Sequence, residues 1–82
     1  MRYLVEVVEY STWFEQGSVL LPPGASWCEV EGALAGVGVY APRGLDKLEW
    51  LDEELAIIRD HSGALMVRLL SVPSARAREA GG

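Results

Sequence analysis

Leu45-Asp-Lys-Leu-Glu-Trp50-Leu-Asp-Glu-Glu-Leu55-Ala-Ile-Ile-Arg-Asp60-His61 is the stretch on which the reading of this chain turns. Leu45, Leu48, Leu51, Leu55 and Ile58 recur at three- and four-residue steps, and that spacing predicts one amphipathic helix with a single apolar stripe. His61 falls in its last turn, where the helix dipole favours a cation, and Gly63 stands where a C-terminal cap is expected. On the opposite flank, Asp46, Glu49, Glu53 and Asp60 follow helical spacing, with Asp52 and Glu54 beside them. A solvated helix normally places Lys or Arg four residues after its acids. Here the residues four after Asp46, Glu49 and Glu53 are Trp50, Glu53 and Ile57, so the acids lack local compensation.

Outward from this segment the pattern is that of strands. Arg2–Tyr10 alternates Tyr3, Val5 and Val7 with Leu4, Glu6 and Val8, and both faces are largely apolar, as in a central strand. Ser11–Gln16 breaks the alternation, and Thr12 with Glu15 has capping-box spacing, which predicts a helical turn carrying Trp13 and Phe14. Ser18–Leu21 reads as a short strand closed by the turn residues Pro22-Pro23-Gly24. Ser26–Glu31 alternates as a half-exposed strand. Val37–Ala41 is a further β run among glycines, and Ala64–Val72 is a nearly continuous apolar strand that belongs inside a sheet. The expectation is a single α+β domain over residues 1–72, in the order β-β-β-β-α-β. Its mostly antiparallel sheet of four to five strands carries the helix on one face, and residues 73–82 form a flexible tail.

The 82 residues include twelve Asp and Glu against seven Lys and Arg, a formal charge of −5. That balance speaks against direct nucleic-acid binding and against adsorption to anionic membranes, both of which need a basic face. No apolar run approaches the ~20 residues of a spanning helix, and Glu6 and Glu9 interrupt any signal-peptide core, so a cytoplasmic setting is expected. One Cys and one His limit metal chemistry and disulfides. Cys28 and His61 are the only candidates for a thiolate–imidazole pair. No Asn is present to orient the ring, and the expected places of both are structural: a small buried hydrophobe on a strand, and a helix-end cation. Glu29 and Glu31 would share one strand face as solvated acids. The glycines Gly32, Gly36 and Gly38 match no phosphate-binding spacing. No cofactor, metal or catalytic residue is expected.

The function expected is therefore a non-catalytic, acidic protein-binding module. Asp46, Glu49, Trp50, Glu53, Ile57 and Asp60 are the candidate contact residues, acids edged by an aromatic and an aliphatic anchor. The partner would be a protein with a basic surface, for instance one that ordinarily holds nucleic acid. The apolar half of the composition also admits a homodimer or a small subunit of a larger assembly. In size and charge the chain is similar to small acidic phage-encoded inhibitors such as anti-CRISPR proteins and other nucleic-acid mimics. That likeness implies occlusion of a basic site, with carboxylates standing in for phosphates. Separately, Arg76-Ala-Arg78-Glu79-Ala80-Gly81-Gly82 resembles the tail of ubiquitin-like proteins and sulfur carriers, whose terminal Gly-Gly is adenylated. It implies a carrier role for Gly82. The β-grasp body of those proteins has its main helix straight after the first hairpin, whereas the strands expected here come first.

Overall fold

The computed structural model describes residues 1–40 and 48–73. The chain forms β1 (Arg2–Glu9), β2 (Thr12–Leu20), α1 (Trp27–Gly36), β3 (Leu48–Trp50), β4 (Leu55–Arg59) and β5 (Leu65–Ser71). All pairings are antiparallel, in the order β2-β1-β5-β4-β3, with the helix packed on one face. The α+β class and the central places of β1 and β5 are as the sequence predicts. The order of elements is different.

The helix expected over Leu45–His61 is instead a hairpin, β3 and β4, in which Leu48 pairs with Ile58 and Trp50 with Ala56. Three- and four-residue steps satisfy a strand–turn–strand as readily as a helix when the apolar residues meet across the ladder. Asp52 also favours a turn, because its Oδ1 accepts a hydrogen bond from the Glu54 amide at 2.7 Å. The deciding constraint is remote. β5 is apolar on both faces and needs a ladder on each side; β1 supplies one and β4 the other.

The helix lies where a strand is expected. Ser26 caps it, accepting from the Glu29 amide at 3.4 Å, with the Glu29 carboxylate returning over the cap. Val30 and Leu34 face the sheet and are buried, and Trp27, Ala33 and Val37 flank them. The helix ends at Val37, the next residue, Gly38, being left-handed (φ 82°). Gly38 and Val39 donate back to the carbonyls of Ala35 and Leu34, a Schellman closure. The β run expected over Val37–Ala41 is therefore this helix end as far as Tyr40. The helical turn expected at Thr12–Glu15 is extended chain inside β2, reached through a two-residue turn in which Tyr10 and Ser11 both have positive φ (51° and 64°).

The core is the helix-side face of the sheet: Tyr3, Val5, Val19, Ala56, Ile58, Val67 and Leu69 beneath Val30 and Leu34. Gly17 lets the helix end settle on β2, since a Cβ there would stand 3.2 Å from a Val37 methyl. The tail expected from residue 73, with Gly82, lies outside the described residues beyond Pro73, as does Asp46.

Candidate functional site

The six residues expected on one acidic helix flank are dispersed by the hairpin. Glu49 is exposed on the face of β3 turned away from the helix, and Ile57 lies on the same face of β4, 9% exposed. Trp50 points the other way, into the core. Its indole donates to the Ala25 carbonyl at 3.0 Å, and its ring meets Tyr3 edge-on at 5.4 Å. Glu53 is exposed in the β3–β4 turn, where its backbone carbonyl accepts the Tyr3 hydroxyl at 2.6 Å. Asp60 is occupied within the β4–β5 turn. Its carboxylate accepts from the Ser62 hydroxyl and from the Ser62 and Ala64 amides, and the hydroxyl bond foremost holds its pKa below the usual carboxylate value. Glu49, Trp50, Glu53, Ile57 and Asp60 therefore do not form one face.

Strand alternation separates the charges another way. Pairing registers place Arg2, Glu6, Glu15, Glu49, Arg59 and Arg68 on the open face of the sheet, opposite the helix. There Arg68 Nε bonds Glu6 Oε1 at 2.5 Å, and the guanidinium stacks 4.2 Å from the Trp13 ring centre. These three arginines are the only Lys or Arg among the described residues. The remaining surface carries further described acids away from these cations: Glu9, Glu29 and Glu31 on the helix side, and Asp52 and Glu53 at the β3–β4 turn.

Within that acidic surface, Cys28, Glu31, Gly32 and Ala35 form one stripe of α1, opposite Val30 and Leu34. With Val39 and Tyr40 they line a groove of about 380 Å³. Small residues make its floor, Glu31 supplies a carboxylate, and Tyr40 is 77% exposed above it. Cys28 is exposed, not the buried hydrophobe expected of a strand residue. Glu29 and Glu31 diverge around the helix and do not share a strand face. His61 is in the β4–β5 turn, on a different element from Cys28. Among the described residues no group of three or more His, Cys, Asp or Glu could hold a metal ion, and no helix is long and apolar enough to cross a membrane. The signals for the groove residues were present in the sequence, because Ser26 and Glu29 have capping-box spacing and Val30, Leu34 and Val37 follow at helical steps.

No protein-family model, curated protein or solved structure matches the chain.

Proposed function

We propose that this protein is a non-catalytic acidic binding module that occupies a basic surface of another protein in the cytoplasm. Its docking side is the surface of α1 together with the β3–β4 turn. The observation that carries the reading is the segregation of charge, in which the described cations share the open sheet face with three acids while Glu9, Glu29, Glu31, Asp52 and Glu53 lie away from that face. An anionic surface of this kind steers a cationic partner and excludes acidic ones. The groove between Glu31 and Tyr40 suits a Lys or Arg side chain, offering a carboxylate and an aromatic face together. Where the target surface normally holds nucleic acid, the outcome is occlusion, with carboxylates in place of phosphates.

The test is capture from host extract with the wild-type protein, with Glu29→Lys/Glu31→Lys/Glu53→Lys, and with the open-face control Glu15→Lys/Glu49→Lys. The expected result is a basic protein that elutes with salt, is lost with the helix-side variant and is kept by the control. Its unchanged retention by the helix-side variant refutes the proposal.

One observation favours the carrier reading as a second possibility. α1 follows the first hairpin directly, the position that the β-grasp resemblance implies. Incubation with ATP and an adenylating enzyme of the same host should then add an adenylate or thiocarboxylate mass at Gly82, and an unmodified mass rejects it.

A further inference from the structure

The two edges of the sheet are unequal. β3 is three residues long, whereas β2 runs for nine, and no strand lies on its outer side. Among the described residues no loop backbone bonds that side either. A short edge limits itself, but a long one presents unused amides and carbonyls to any extended chain. β2 has neither Lys nor Pro to blunt it, and it carries two exposed apolar side chains, Phe14 (48%) and Leu20 (72%).

The outward-facing backbone groups follow from the β1–β2 ladder. Met1 and Leu21 exchange both backbone bonds, at 2.8 and 2.9 Å. Antiparallel pairs alternate between bonded and non-bonded, so Val19 and Gly17 bond inward and Ser18 and Leu20 face out. At the far end Glu9 and Thr12 close the two-residue turn with positive φ at both positions, which makes them a bonded pair. Phe14 therefore bonds inward, and Trp13 and Glu15 face out. The phase changes at the bulge opposite Val5 and Glu6, where Gln16 is the extra residue.

We infer that β2 pairs antiparallel with β2 of a second copy, about a twofold axis perpendicular to the sheet at Gln16–Gly17. The two five-stranded sheets then run on as one. Trp13 is set against Leu20, Phe14 against Val19 and Glu15 against Ser18, each twice. Outward groups meet outward groups at Trp13–Leu20 and Glu15–Ser18, for about eight ladder bonds in all. A shift of two residues either way sets Glu15 or Ser18 against the bulge, and a shift of one pairs outward groups with inward ones. The side chains agree with this register. The exposed Leu20 lies beside Trp13 on the open side, the exposed Phe14 lies beside Val19 on the helix side, and the Glu15 carboxylate meets the Ser18 hydroxyl. An extended segment of a different protein would use the same outward groups but would lack the twofold match of bulge to bulge. The surface joined is one sheet edge, ~30 Å by ~10 Å per copy, smaller than a standard interface. The dimer is thus concentration-dependent, with the ladder supplying most of its affinity.

Sedimentation equilibrium of the wild type should show the mass rising from the 8.9 kDa of one chain towards twice that value as the concentration is raised to ~1 mM. Ser18→Pro removes an outward amide only, which an edge strand tolerates. It should stay at one chain mass throughout, with the far-UV spectrum unchanged. In a Cys28→Ser background, Gln16→Cys places two thiols across the axis with their Cα atoms about 6 Å apart. It should form a linked dimer on mild oxidation, whereas Leu51→Cys, exposed at the other side of the sheet, should not. A wild-type mass of one chain at ~1 mM overturns the inference, as does a dimer that Ser18→Pro retains. If Ser18→Pro does not fold, the cross-link decides, and Gln16→Cys linking no faster than Leu51→Cys overturns it. None of these substitutions touches Glu29, Glu31 or Glu53, so the proposed function stands or falls separately.

Discussion

Replacement of Trp50 distinguishes a core residue from a docking residue. Its indole fills the space between Tyr3 and the Ala25 carbonyl. Trp50→Phe keeps most of the ring but leaves that carbonyl without its donor, which costs about 1–2 kcal/mol. Trp50→Ala also removes the half-buried ring and the edge-on contact with Tyr3, for a total of about 3 kcal/mol. A domain of this length holds only ~4–12 kcal/mol altogether, so the alanine variant should be strongly destabilised at physiological temperature. The phenylalanine variant should melt ~5–15 °C below wild type. Urea titration followed by far-UV circular dichroism measures both, and an unchanged m-value confirms that the loss is one of stability. A cycle with Tyr3→Leu should show ~0.5–1.5 kcal/mol of coupling between the two rings. If Trp50→Ala instead stays within ~0.5 kcal/mol of wild type, the tryptophan is at the surface and the hairpin assignment fails.

Three further expectations concern single sites. Burial first, then the carboxylates of Glu53, Asp52 and Glu54, holds the Tyr3 phenol above its ordinary value of 10.0. The fold thus prefers the protonated form, and the stability this contributes is complete below pH 10 and is lost as pH rises through the folded-state value. Tyr3→Phe should remove that alkaline sensitivity while costing about 1 kcal/mol at neutral pH through its lost bond to the Glu53 carbonyl; an identical alkaline melting profile in the variant would argue against it. Ser71 Oγ is fully buried with no hydrogen-bond partner among the described residues, so Ser71→Ala should stabilise by about 1 kcal/mol, and a loss of stability would show that the hydroxyl is satisfied. Tyr10→Asn/Ser11→Gly relieves two left-handed residues at the β1–β2 turn and should raise stability by about 1 kcal/mol in thermal melts. No gain would mean that the two residues carry little strain there.

The two hairpin assignments show where local reading succeeds and where it stops. β1 and β5 were legible because apolar residues crowd both of their faces, a pattern that only interior strands afford. The helix was misread as a strand because Trp27, Glu29 and Glu31 alternate, although the Ser26–Glu29 cap and the spacing of Val30, Leu34 and Val37 carried its signal. Leu48, Leu55 and Ile58 satisfy both periods, so the hydrophobic spacing does not separate a helix from a hairpin there. The candidate site followed that error, since Glu49, Trp50 and Glu53 share a flank only on a helix. Once alternation replaced rotation, Trp50 went inward, Glu49 went to the open face and Glu53 to the turn.

By itself the amino-acid order determined the acidic excess, the α+β class, the turn at Pro22-Pro23-Gly24 and the two strands at the centre of the sheet. Composition and short-range pattern are enough for these. Only tertiary structure decided which acids share a surface. β5 had to find a second ladder partner, and that requirement drew residues 55–59 out of any helix and turned alternate side chains to opposite sides of the sheet.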